Sequence, residues 1–300
     1  MDDLLRTFIM IAEKNSFTKA AAELHLTQSA VSREIQVLEK KYGVLLFERS
    51  NRYVRLTKAG EILYTQAKTI VVQYELIKRL MDDLTHTAKG ELSIGSGYTF
   101  GEYLLPKMIQ DFITHYSDII PKITIKNSRR IVDQVLRHEL DIGIIEGSFD
   151  TSGLITRSFA KDEMVGIVSP AHPIMDKQEI ELFDLRGETW ILRERGSGTR
   201  DVTDRLFETQ GFMPRSTMEF GSSQVIKEAV EAGLGVSLIS KWAIRKELQY
   251  GILKSFTLKN SPVIRELYYV LPNSRFRTRA TDLFIHFITE NISSNRTIHE

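Results

Sequence analysis

The sequence predicts a mainly α winged helix-turn-helix at its start, one long linker helix after it, and then a two-lobed α/β region. Three observations carry that order. Residues 1–58 hold short helix-period apolar stripes followed by two short alternating strands, residues 59–88 hold one heptad stripe, and strand and helix patterns alternate from 89 onward.

Asp2 and Asp3 place negative charge at a helix N-terminus, and Leu4, Leu5, Phe8, Ile11 and Ala12 form that helix's apolar stripe. Phe17, Ala20, Ala21 and Leu24 give one face of a short second helix, capped by Ser16 or Thr18. After Leu26, Thr27 can cap a longer helix whose buried face is Ala30, Val31, Ile35, Leu38 and Tyr42. Its other face begins with Gln28, Ser29, Ser32, Arg33 and Gln36, whose amide, hydroxyl and guanidinium groups can reach phosphates and base edges. Read on pattern alone, this is either a recognition helix or the solvated side of an ordinary amphipathic one. From Leu45 to Leu56 the period shortens to that of two strands around a polar turn at Ser50 and Asn51, which makes a wing. Arg49, Arg52, Arg55 and Lys58 follow with no acid among them, a local basic patch suited to phosphate or minor-groove contact, or else a solvated charge run.

Thr57 can cap the next helix, which runs to about Leu84. Leu63, Ala67, Ile70, Tyr74, Ile77, Met81 and Leu84 alternate spacings of four and three. Such a heptad seam joins two copies of a chain, with Leu63, Ile70, Tyr74, Ile77 and Met81 as the dimerisation residues; a single core-facing helix is the alternative. A two-fold pair of recognition helices would match an inverted repeat in double-stranded DNA.

Past the polar break at 86–90, residues 91–96, 123–127 and 141–147 read as strands, with helices over 103–116 and 131–140 between them. That order predicts a right-handed, mostly parallel sheet. A second unit begins near Met164 with MVGIVS and continues through TWILR, helices over 199–210 and 224–232, and GVSLIS. ELYYVL (266–271) and a helix over 278–291 close the chain.

In open α/β sheets ligands sit beyond the strand ends, near helix N-termini that attract anions. Four stretches fit: Ser96, Gly97, Tyr98 and Thr99 with Phe100; Asn127 and Ser128; Ser197, Gly198, Thr199 and Arg200; and Ser222 and Ser223 in GSSQ. Gly196 and Gly198 permit close backbone approach, the hydroxyls donate, and Arg200 offers a charge-assisted pair, so together they suit a small anion. Taken alone, GSGT is equally a turn with a cap. Glu146 can bind an amine, donate to an anion if protonated, or orient the hinge, while Arg193 and Arg195 read as solvated rim charges.

Of 300 residues, 42% are hydrophobic and 26% charged, ordinary for a folded protein of two or three domains. Forty basic and thirty-nine acidic residues leave a formal charge of +1, so attraction to nucleic acid must be local. With no cysteine, disulfides, thiolate metal sites and thiol redox sensing are excluded. No secretory signal or membrane-length apolar run is present in the sequence, so a cytoplasmic location is the default expectation. The seven histidines are scattered, and no HExxH, P-loop, GxGxxG or GxSxG appears, so neither an enzyme, a metal site nor a cofactor is expected.

SFTKAAAELHLTQSAVSREIQVLEKKYGVLLFER, followed by VRLTKAG, resembles the DNA-binding region of LysR-type transcriptional regulators. Ser29 departs from the proline common at its place. The resemblance implies a DNA-binding domain over 1–58, a dimerisation helix over 59–88, and a periplasmic-binding-protein-like effector domain over 89–300. Lobe one would comprise 89–162 and 266–300, and lobe two 163–265. It also implies a homodimer, a dimer of dimers as the larger assembly, and RNA polymerase as a further partner. ILRERGSGTRDV, IKNS and LDIGIIEG resemble the subgroup that regulates sulfur assimilation, sulfite reduction and carbon dioxide fixation. That implies an inorganic sulfur oxyanion or a small phosphorylated or carboxylated metabolite as effector. Tyr98 stands where smaller residues are common, which narrows the cleft. A cytoplasmic solute-binding protein and a ligand-independent regulator are the competing functions.

Overall fold

The computed structural model describes residues 2–50, 53–85, 88–259 and 262–294. The chain forms two compact units, Met1–Thr85 and His86–Glu300.

In the first unit, α1 (Asp2–Lys14), α2 (Phe17–Glu23) and α3 (Gln28–Tyr42) precede an antiparallel pair, β1 (Phe47–Arg49) and β2 (Val54–Leu56), and then α4 (Lys58–Thr85). Leu5, Phe8, Ile11, Ala20, Val31, Ile35, Leu38 and Phe47 make its core. Ser16, not Thr18, starts α2, accepting the Lys19 N–H at 3.2 Å. Thr27 accepts the Ala30 N–H at 3.2 Å and starts α3. Arg52 and the turn residue Asn51 lie outside the described residues.

The heptad stripe of α4 divides in two. Ala67 is fully buried and Leu63 packs half-buried against the same core, because α1 lies along this half of α4. Lys68 and Tyr64 both reach Glu13 there, at 3.9 and 3.2 Å, and Arg6 pairs with Glu75. Leu63 is therefore half-covered by its own chain, whereas Ile70, Tyr74, Ile77, Met81 and Leu84 are 51–80% exposed.

The second unit comprises β3 (Gly90–Ser96), α5 (Tyr98–Tyr103), α6 (Leu105–His115), β4 (Ile119–Ile125), α7 (Ser128–Leu136), β5 (Ile142–Glu146) and β6 (Leu154–Val168). It continues with β7 (Thr189–Arg193), α8 (Gly198–Gln210), β8 (Ser216–Phe220), α9 (Ser223–Glu231) and β9 (Ser237–Ser240). Then come α10 (Arg245–Gln249), β10 (Lys254–Phe256), β11 (Val263–Pro272) and α11 (Arg279–Ser294). The helix expected over 103–116 is α6, and a separate short helix, α5, precedes it; Pro106 in the first turn of α6 lacks the N–H that would join the two.

The sheet is mixed rather than mostly parallel. β3 pairs with β4 and β5 in parallel, but β11 runs antiparallel to β5 and β6, and β9 and β10 antiparallel to β6; β7 and β8 form a separate parallel pair. The long strands β6 and β11 cause this, since they pass in opposite directions through both lobes, from Val263 opposite Met164 to Pro272 opposite Leu154. On β6, Ala160 belongs to one core and Met164 to another; on β11, Leu267 belongs to the first core and Val263 packs on the second. The lobes therefore meet where Asp162 and Arg265 face each other in register.

Candidate nucleic-acid face and candidate ligand cleft

On α3, alternation of buried and exposed turns leaves Gln28, Ser29, Arg33 and Gln36 exposed and Ser32 half-buried, while Val31, Ile35 and Leu38 hold the helix to the core. Ser29 Oγ lies 3.0 Å from Thr27 Oγ1, so both belong to the helix start. Thr18 is exposed on α2. Of the wing cations, Arg49 is committed within the fold, with Nη2 3.2 Å from Glu39 and its guanidinium 4.5 Å over the Phe17 ring. An acid thus enters the basic patch from α3, where sequence order could not place it. Lys58 pairs with Glu61 at 2.9 Å, and Arg55 stacks on exposed Tyr53 at 4.9 Å.

The cleft of the second unit is organised by Arg265, which is 2% exposed. Its Nε donates to Asp162 at 2.8 Å and its Nη2 lies 2.6 Å from the same carboxylate. Nη1 lies 3.2 Å from Glu146, and the two Nη groups donate to Thr199 at 3.1 Å and Thr99 at 2.8 Å. Burial opposes the Arg265 charge, but Asp162 and Glu146 outweigh it and hold its pKa above the ordinary guanidinium value. Burial, helped by the neighbouring Glu146 charge, holds the Asp162 carboxyl above its ordinary range, against the opposing pull of Arg265 and of the Ser240 hydroxyl at 2.8 Å. One guanidinium thus grips both lobes.

Several residues expected to meet a ligand serve this joint. Glu146 accepts the Phe100 N–H at 2.8 Å and is 2% exposed, so it orients the hinge. Ser128 Oγ accepts the Glu146 N–H at 3.1 Å and donates to the Glu146 carbonyl at 3.3 Å. Thr99 and Thr199 hold Arg265, and Ser96 donates to the Gly97 carbonyl at 3.0 Å. A Cβ on Gly198 would stand 1.8 Å from the Glu146 carbonyl oxygen, and one on Gly97 would stand 2.8 Å from the Glu146 carboxylate. Gly198 requires glycine because a Cβ there would meet backbone, whereas at Gly97 the Glu146 carboxylate would have to shift. Arg200 is engaged by Asp204 at 2.8 Å, Glu219 at 2.8 Å and the Arg193 carbonyl at 3.0 Å, and these acids outweigh burial to raise its pKa. Ser222 caps α9 by accepting the Val225 N–H at 3.3 Å.

What remains at the cleft is a different cation. Arg193 is 2% exposed, buried rather than a rim charge, because Tyr98 of the other lobe lies 4.6 Å over it and Ser223 accepts its Nη1 at 3.1 Å. Arg195 is exposed. Ser197 is buried at the start of α8 without a side-chain capping bond, and Asn127 Nδ2 points to Glu194 at 3.3 Å. The structure therefore brings Tyr98 and Ser223 against a guanidinium that sequence reasoning set aside, with Asn127 on its partner Glu194 and Ser197 buried at the start of α8.

Arg265 and Asp162 were missed altogether, although a signal existed. Ala160, Asp162 and Met164 alternate inward on β6, as Arg265 and Leu267 do on β11, so period-two reading marks both charges as buried.

Residues 3–61 match the family model "Bacterial regulatory helix-turn-helix protein, lysR family", and residues 85–293 match "LysR substrate binding domain". The chain is 35% identical over 292 residues to the HTH-type transcriptional regulator CysL of Bacillus subtilis, covering 97% of this chain and 98% of that one. It is 34% identical over 288 residues to the probable RuBisCO transcriptional regulator of Cyanidioschyzon merolae, covering 94% and 95%. Among solved structures it resembles the regulatory domain of Synechocystis CcmR in complex with 2-PG, with TM-score 0.64 and 25% identity over 68% of this chain and 98% of that one.

Proposed function

From the premise that this chain belongs to the LysR family of DNA-binding transcriptional regulators, we propose that it answers to a small oxyanion held between the lobes of its effector-binding domain. The observation that carries the reading is Arg193. A buried guanidinium stacked on an aromatic ring, beside hydroxyl and amide donors and near the uncapped start of α8, recognises a carboxylate, phosphate or sulfur oxyanion through charge-assisted bonds. Tyr98, Asn127, Ser197 and Ser223 are the proposed direct contacts. Ser96, Gly97, Thr99, Ser128, Glu146, Gly198 and Thr199 shape the cleft behind them, with Arg200 and Ser222 at its edge. The name of CysL and the 2-PG bound by CcmR support sulfur oxyanions and small phosphorylated acids as the classes to test.

Residues 1–58 are assigned to DNA, through Gln28, Ser29, Ser32, Arg33 and Gln36 in the major groove, Ser16, Thr18 and Thr27 at the flanking phosphates, and the wing. Within the linker over 59–88, α4 pairs two copies through Ile70, Tyr74, Ile77 and Met81, and 89–300 reads the effector. No helix among the described residues is long and apolar enough to cross a membrane, and control of transcription fits a cytoplasmic site of action.

The test is a thermal-shift series with sulfite, sulfate, thiosulfate, phosphate, phosphoenolpyruvate, O-acetylserine, NADPH and 2-phosphoglycolate, repeated on Arg193→Ala. A ligand at a hundred times its dissociation constant adds about 2.7 kcal/mol to the domain that binds it. A shift of several degrees that disappears in the variant is expected; an equal shift in the variant would move the site away from Arg193.

A further inference from the structure

The cleft already holds an anion of the protein's own. Glu194 follows Arg193 just past the end of β7, where strand alternation no longer dictates direction, and its carboxylate turns back onto its neighbour. It accepts Arg193 Nε at 2.8 Å and Nη2 at 3.0 Å, the two-bond fork that an incoming carboxylate or phosphate would use. Asn127 Nδ2, from the opposite lobe, adds a third donor at 3.3 Å. Three donors converge on this carboxylate, and both residues that supply them, Arg193 and Asn127, are ones to which the oxyanion reading turns.

The two partners differ in how firmly they are built in. The Arg193 side chain is 1% exposed and that of Glu194 24%. Arg193 is held from its remaining sides by Ser223 and by the Tyr98 ring, whereas the bonds of Glu194 are the fork and the Asn127 amide. Glu194 can therefore swing toward solvent while the guanidinium stays in place.

We propose that Glu194 is an internal competitor of the effector, occupying the oxyanion subsite on Arg193 until a more highly charged anion displaces it. The proposal rests on the oxyanion reading of the cleft. It also supplies specificity. A monocarboxylate offers Arg193 nothing that Glu194 does not already give, at greater entropic cost, while a phosphate or other dianion brings extra charge to the same donors. The apparent affinity for any anion is the intrinsic affinity multiplied by the fraction of molecules in which Glu194 is undocked. Displacement also releases Asn127, and with it one bond between the lobes, so exchange of the internal anion for an external one reaches both sides of the cleft.

The experiment is calorimetric titration of the full chain with inorganic phosphate, 2-phosphoglycolate and acetate, on wild type, Glu194→Gln and Glu219→Gln. Glu219 removes the same charge but pairs with Arg200 rather than Arg193, so it controls for a general rise in potential. Thermal melting of each variant confirms folding, and Glu194→Ala repeats the test with the whole side chain removed. Glu194→Gln should bind phosphate or 2-phosphoglycolate about tenfold tighter than wild type, a difference of about 1.4 kcal/mol. It should also bring acetate binding into range, while Glu219→Gln stays within about twofold of wild type. Binding to Glu194→Gln alone, with wild type silent, would support the proposal equally. Equal affinities in wild type and Glu194→Gln would overturn the competitor and leave the cleft reading standing, and equal tightening in both variants would reduce the effect to charge. No binding of any of the three anions to either protein would overturn the competitor, and silence of sulfite, sulfate and thiosulfate as well would overturn the cleft reading.

Discussion

Arg265 shows how much one side chain can carry at the joint between lobes. It neutralises two buried acids and ties a threonine from each lobe, with little water to replace any partner. Removing one member of a buried ionic group leaves the others uncompensated, at a cost of roughly 3–5 kcal/mol. Arg265→Met keeps the length and loses the charge, so chemical denaturation followed in the effector domain should show a loss of that size. A loss below about 1 kcal/mol would mean that water reaches Asp162 and Glu146 in solution. Lysine is not a conservative replacement, because an ammonium has no fork to span two acids and two hydroxyls. Arg193 differs from Arg265 in kind: its principal acid partner is a half-buried neighbour, which leaves it available for exchange.

Among the elements, α3 with the wing and the exposed half of α4 make separable predictions. Arg55 is exposed and, among the described residues, lies against an exposed tyrosine, while Arg49 is anchored to Glu39. If Arg55 neutralises one phosphate, Arg55→Ala should reduce the slope of log affinity against log salt by about 0.9, measured on operator DNA. An unchanged slope would remove Arg55 from the footprint. On α4, Ile70, Tyr74, Ile77 and Met81 lie on one stripe at heptad spacing with no core of their own. Ile77→Glu would place a charge in the centre of that seam, and sedimentation should show the dimer dissociating to monomers while the helical content of the first unit persists. A dimer of unchanged affinity would assign the stripe to some other contact. The division of α4 follows from packing, since the core that α1 helps to form takes up Leu63 and Ala67 and leaves Ile70, Tyr74, Ile77, Met81 and Leu84 exposed.

For the whole molecule, the link between effector and DNA must be reciprocal. If the effector changes operator affinity by some factor, operator DNA changes effector affinity by the same factor, typically about 5–150-fold in proteins of this kind of coupling. Calorimetric titration of the effector into free protein and into a preformed operator complex should give dissociation constants in that ratio. A ratio near one, beside a real effect of the ligand on transcription, would place the control in a later step than DNA binding.

Residue order alone determined the three short helices and wing of the first unit, the heptad stripe and the alternation of the second unit, because each is written in local periodicity and capping. Thr27, the stripe from Ile70 to Met81, and the glycines at the strand ends are legible without coordinates. It could also place Tyr98, Asn127, Ser197 and Ser223 near strand ends, since that is a property of topology. Tertiary structure alone decided which side chains those loops spend on one another. Thr99 and Thr199 meet Arg265 across 166 and 66 residues of chain, and Asn127 meets Glu194 across 67. Glu39 reaches Arg49 and removes a cation from the wing. The mixed sheet belongs here too, because strands that cross twice between lobes must run antiparallel, whatever their local pattern. Burial and pairing of charge are sums over neighbours distant in sequence, so the guanidinium that reads as rim in the chain is interior in the fold.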